Sequence, residues 1–210
     1  MKDMRKILLG MAVALTVIMM TGCGKSQSAV EGGQCRIHGT ISQQYNDKRI
    51  FLVPLTGPQT AEYVDSIEVK DGKFEFTTDT LMMAKILVDY HYRMGVQPLL
   101  VVTEPGDVQV TIGEISSATG TPQNDSLQQW KMATETHNSQ LMQLRQQSKD
   151  EQADSVHQVY KRYTRQLAKN LEGTLLGDFL GSLYPLTYKR QNADGRIVTI
   201  NADTNEEIAE

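Results

Sequence analysis

The sequence predicts an α+β fold: an N-terminal antiparallel β-sandwich or open barrel, followed by an antiparallel helical pair. Three observations predict it. Residues 35 to about 115 carry short apolar runs that alternate in twos. Clusters of Gly, Pro, Asn and Asp punctuate those runs. Beyond Gly120 the apolar period lengthens to about three and a half residues, the period of a helix.

Cys35, Ile37, Gly39 and Ile41 share one face of a first strand. Arg49 to Val53 is a second apolar run, stopped by Pro54, and Thr56-Gly57-Pro58 makes a loop. Tyr63 to Val69 leads through Lys70-Asp71-Gly72-Lys73 into Phe74-Glu75-Phe76-Thr77. Asp-Gly between strand-like runs is a strong hairpin signal, because glycine tolerates the positive φ of a type I′ turn. Phe74 and Phe76 then face the core, with Glu75 and Thr77 outward. Ile86 to Tyr92 alternates again, and Leu99 to Val102 reads as a buried strand. Glu104-Pro105-Gly106-Asp107 supplies a turn before the inward face of Val108, Val110 and Ile112. The β-domain is placed at 35–118.

A helical annex is expected over 119–188, packed on that domain. Asn124 or Asp125 can cap a first helix, whose stripe runs Leu127, Trp130, Thr134, His137, Leu141 and Leu144. Lys149 to Glu151 interrupts it. A second stripe runs Val156, Tyr160, Tyr163, Leu167 and Leu171. Each stripe is a narrow seam, so the pair must bury itself on the sheet or on a partner. Thr174 to Leu186 reads as a short terminal helix, where Gly173, Gly177 and Gly181 would permit close helix approach. The polar tail, 189–210, is expected to be largely disordered, although Arg196 to Ile200 could pair as a strand after Asp194-Gly195.

The N-terminus has the grammar of an export signal. Lys2, Arg5 and Lys6 precede an uncharged run from Ile7 to Met20. That run is shorter than the ~20 residues a spanning helix needs. Met20-Thr21-Gly22-Cys23 then resembles the bacterial lipobox, with cleavage between Gly22 and Cys23 and a lipid on the Cys23 thiol. Residues 1–22 are thus read as a lipoprotein signal peptide and 23–34 as a flexible Gly- and Ser-rich tether. Removing 22 of 210 residues leaves 188, enough for one domain or one and a half. The formal charge of −4 becomes about −6 without the signal, which excludes the basic footprint of a nucleic-acid binder. The expected location is the bacterial cell envelope, lipid-anchored at the outer membrane and facing the periplasm.

The strings Gly39-Thr40-Ile41, Asp65 to Phe76, Glu104 to Val108 and Gly120 to Asp125 together resemble a family of unknown function. That family forms the N-terminal module of bacterial envelope lipoproteins with a thioredoxin-like, thiol–disulfide oxidoreductase domain. The likeness runs from about Arg36 to Leu186. In such relatives the redox chemistry belongs to the thioredoxin-like domain and its Cys-x-x-Cys. No Cys-x-x-Cys occurs in this sequence, so the resemblance carries over no catalytic residue.

The residues themselves offer few alternatives. His38, His91, His137 and His157 lack metal-ligand spacing, and His137 reads as a core or interface histidine. Glu104 and Asp107 read as turn residues. Cys35 is either a small buried hydrophobe or a free, reactive thiol. Tyr90, His91, Tyr92 and Arg93 form a possible ligand or partner surface on one strand. No cofactor, metal ligand or catalytic residue is assigned. The sequence therefore points to a non-enzymatic, membrane-anchored lipoprotein whose β-domain binds an envelope protein or acts as a scaffold. Two alternatives stay open: an accessory to an envelope thiol–disulfide system, and a ligand-binding protein or hydrolase with an unrecognised site.

Overall fold

Alternating burial along the chain builds two facing sheets. The computed structural model describes residues 33–88 and 98–208. The first sheet contains β1 (Cys35–Ile41), β4 (Lys73–Thr78), β7 (Gly106–Ile112) and β8 (Ser117–Thr119), in the order β4-β1-β7-β8. The second contains β2 (Arg49–Pro54), β3 (Asp65–Glu68), β5 (Met83–Val88) and β6 (Leu99–Val102), in the order β3-β2-β5-β6. Between them lies one core. Ile37, Phe74, Phe76, Val108 and Val110 meet Ile50, Leu52, Ile86, Leu99 and Val101 there. Complete burial of such side chains is worth roughly 1.5–3 kcal/mol each, and the core is the main source of stability.

The second sheet is antiparallel throughout. The first departs from the antiparallel expectation at its centre, where β1 and β7 run parallel, with Ile37 opposite Val108. Parallel neighbours need a long crossover, and the crossover here contains the entire second sheet. The Asp71-Gly72 turn shows the same principle. Both residues have positive φ, 51° and 68°, and Lys70 and Lys73 exchange backbone hydrogen bonds of 3.0 and 2.9 Å. The flanking strands nevertheless separate at once: β3 joins the second sheet and β4 the first. The turn is a corner of the sandwich, and local signals cannot distinguish that from an extended hairpin.

The outer face of the second sheet is covered by helices. Met83 and Val102 pack with Leu127, Leu176 and Leu180 in a second core, supported by Trp130 and Phe179. Those helices are α1 (Pro122–Gln146), α2 (Asp150–Asn170) and α3 (Leu175–Leu183). The Trp130 and Phe179 rings meet edge to face at 5.9 Å. α2 packs on α1 and α3. Its buried positions are Ala153, Tyr160 and Thr164; of the expected stripe Tyr160 is buried and Leu167 and Leu171 pack against the second core, whereas Tyr163 is exposed. At the α2–α3 junction a Cβ on Gly177 would lie 2.1 Å from the Leu171 carbonyl oxygen. Of the three spaced glycines, this is the one that close approach demands.

The tail corrects an expectation. It forms an antiparallel three-stranded meander of β9 (Thr187–Gln191), β10 (Ile197–Asn201) and β11 (Glu207–Ile208). Ile200 is completely buried, and Asp203 pairs with Arg165 and Lys161 of α2. A single apolar anchor and two cations hold an otherwise polar segment, which composition alone reads as unstructured.

Candidate functional site

Among the described residues, polar side chains gather in three further arrangements besides the Arg165–Asp203 contact of the tail. The first is on the exposed face of β1. His38 lies 3.3 Å from Glu75 through Nδ1 and 3.3 Å from Asp107 through Nε2, while Arg36 Nε donates to Asp107 at 3.0 Å. Neighbouring strands β4 and β7 supply the two carboxylates, as the alternating register requires. The result is a solvated charge ladder along the sheet.

The second arrangement joins the sandwich to the helices. Glu104 follows β6, and its Oε1 accepts from the backbone N–H of Gln123 at 2.6 Å and Asn124 at 3.4 Å. These are orphan donors of the α1 N-terminus, where a carboxylate is favourable. Thr121 occupies the N-cap position and Pro122 the first turn, three residues ahead of Asp125. Gln123 Nε2 donates to Glu104 Oε2 at 2.9 Å, and its Oε1 accepts from Leu176 N at 3.0 Å. The same side chain thus links the N-termini of α1 and α3. Asn124, expected as a cap, is completely buried and pairs instead with Val102, accepting from its N–H and donating to its carbonyl. Its amide supplies the backbone partner that the β6 edge would otherwise lack. Glu104 and Asn124 build a structural junction.

The third arrangement lies between α1 and α2. His137 is buried and stacks on Tyr160 at 4.1 Å with 12° between the rings. The Tyr160 hydroxyl bonds Thr134 at 2.6 Å. His137 Nε2 lies 3.3 Å from His157 Nδ1, and His137 Nδ1 lies 3.1 Å from Asn138 Oδ1. Burial, followed by the facing His137, holds His157 below the usual histidine range. Tyr184 stands edge-on to both His157 and Tyr160. These rings open onto a cleft of about 700 Å³, also lined by Leu141, Met142 and Arg145. A helical wheel places His137 on the seam; it carries no signal that His157, twenty residues later, turns back to meet it.

Residues 35–127 match the model of a family described as a domain of unknown function (DUF4369). The match spans 93 of the chain's 210 residues, and that segment is similar to this family. No match was found among curated proteins, and none among solved structures. The DUF4369 segment begins with β1, contains both sheets of the sandwich and ends at Leu127, the first apolar residue of α1 to enter the second core. The resemblance read from the sequence extended to Leu186; the match stops well before α2. The charge ladder and the Glu104 junction therefore lie within or at the border of the DUF4369 segment. The histidine cleft lies outside it.

Of the residues singled out in the sequence, Cys35 sits in the DUF4369 core with 1% of its surface exposed. Burial, and to a smaller degree Glu104 and Asp107, pushes its thiol up to about 11. At neutral pH it is a protonated, enclosed thiol. Gly22, Cys23, Tyr90, His91, Tyr92 and Arg93 lie outside the described residues.

Proposed function

We propose that this chain is a bacterial envelope lipoprotein, held at the outer membrane through a lipid on Cys23, whose periplasmic domain is a non-enzymatic binding module for an envelope protein. The observation that carries the reading is the open face of the α1–α2 pair. Its cleft combines Tyr184 and His157 with Met142 and Arg145, and Met142 is 62% exposed. Aromatic, methionine and arginine side chains are the types enriched where proteins dock. The sandwich holds the N-terminal part of α1 through Glu104 and the packing of Leu127 on Met83 and Val102. Cys35 supports this reading over a redox accessory, since a thiol that is buried and protonated at neutral pH is a poor nucleophile.

The test is site-specific photo-crosslinking in intact cells. A photoreactive residue at Met142 should yield one discrete adduct that the same residue at Thr111, on the solvated face of β7, does not. Equal labelling from both positions would overturn the binding assignment. Metabolic labelling with an alkyne fatty acid should mark the wild-type chain and not Cys23→Ser; equal labelling of both would remove the anchor.

A further inference from the structure

We propose that His137 and His157 form a two-histidine site for a divalent transition-metal ion, with copper(II) and zinc(II) as the chemical class bound. It stands whether or not a protein docks on the same helices. The geometry is the argument. His137 Nε2 and His157 Nδ1 are 3.3 Å apart, on facing helices. A tetrahedral ion with metal–nitrogen bonds of about 2.0–2.1 Å has ligand-to-ligand edges of about 3.3–3.4 Å. The two nitrogens, which share a hydrogen bond in the metal-free protein, are already separated by the span of such an edge, so small ring rotations suffice to turn both toward one ion.

The surroundings fit the same role. His137 Nδ1 donates to Asn138 Oδ1 at 3.1 Å, which fixes the ring and leaves Nε2 as the bare nitrogen. A metal-binding histidine commonly anchors its second nitrogen in this way. Tyr160 stacked on His137 prevents the ring from turning. In the metal-free protein one proton lies between the two imidazoles. On metal binding it moves to His157 Nε2, so both rings stay neutral and each donates one lone pair. No group of three or more His, Cys, Asp or Glu side chains converges among the described residues. The protein thus supplies two donors, and the open cleft leaves the other positions to water or an external ligand. Arg145, which lines the cleft, favours an anionic one. Copper(II) should bind more tightly than zinc(II), following the general order for nitrogen sites.

Trp130 gives the readout. It is the chain's one tryptophan and precedes His137 by seven residues of α1, about 10 Å along the axis. Copper(II) at that distance quenches indole fluorescence. Untagged full-length protein in detergent would be titrated with copper(II) chloride, and separately with zinc(II) chloride in competition. One equivalent of copper should quench Trp130, and a large excess of zinc should reverse it. His157→Gln should weaken binding by roughly tenfold or more, and Asn138→Ala by a smaller factor through loss of ring positioning. His137→Gln tests the buried partner, and unchanged circular dichroism shows that the variant is folded. His38→Gln should bind as the wild type does. Quenching that survives both His157→Gln and His137→Gln overturns the assignment, as does the absence of saturable quenching.

Discussion

Gly39 and Phe74 face each other across β1 and β4, and the Phe74 ring covers the glycine so closely that a Cβ there would lie 1.9 Å from Cζ. The missing side chain is the ring's seat. It lets Phe74 lie over the strand and meet Phe76 edge-on at 6.0 Å while both remain buried. Gly39→Ala should therefore destabilise the domain by about 2–3 kcal/mol, because the ring must leave its rotamer or the strands must part. Urea unfolding measures this. The double variant with Phe74→Leu should lose clearly less than the sum of the two single changes, since the shorter side chain relieves the clash. Simple additivity would count against the contact.

Glu104 holds the α1 N-terminus from outside the helix. Glu104→Ala removes the acceptor of two backbone N–H groups and the partner of Gln123, and should cost about 1–3 kcal/mol. Glu104→Gln keeps one carbonyl oxygen and should recover part of that loss. Thermal unfolding followed at 222 nm ranks the three proteins. A Gln variant less stable than the Ala variant would show that the cap is not the reason for the carboxylate.

These two contacts mark the limit of what the sequence discloses. Strand alternation placed Ile37, Phe74, Phe76, Val108, Val110 and Ile112 in the core, and they are there, because period-two burial is a local property. The partner of each strand is not local. Nothing near Cys35–Ile41 says that β1 pairs in parallel with a strand some seventy residues later. The α1 start is legible to within a turn, but its cap is not, for a similar reason: the carboxylate comes from Glu104, nineteen residues upstream of Gln123. Of the histidine cleft, only the seam position of His137 was legible. The approach of His157 depends on how two helices rotate about each other, and neither wheel records that.

Arg165 should control the order of the tail. Its guanidinium donates to the Tyr184 carbonyl at 2.8 Å and the Pro185 carbonyl at 3.1 Å, and also binds Asp203. The Arg165 hydrogen bond holds the Asp203 carboxyl below the usual carboxylate range. Arg165→Ala should leave the sandwich intact and release β9 to β11. Hydrogen exchange at Tyr188 to Arg190 and at Val198 to Ile200 should then accelerate about tenfold or more, with protection at Ile37 and Val110 unchanged. Uniform acceleration would instead mean that the meander is part of the global cooperative unit.

Cys35 predicts a loss of stability in alkali. In the folded protein its thiol is pushed up to about 11 from an ordinary 9.0. Between those values the folded state keeps a proton that the unfolded chain has released. Stability therefore falls as pH rises. The contribution is complete below pH 9, declines through the window and is gone above about 11. Two pH units of difference correspond to about 2–3 kcal/mol. Lysines and tyrosines titrate in the same range, so the comparison must be with Cys35→Ala, which lacks this group and keeps the others. Between pH 8 and pH 11 the wild type should lose about 2–3 kcal/mol more than the variant in urea unfolding. Parallel losses would sink the prediction. The same enclosure makes native Cys35 slow toward a disulfide reagent at pH 8, with labelling that accelerates only as urea unfolds the sandwich. Rapid native labelling would mean that the thiol is reachable and would restore the redox reading of this chain.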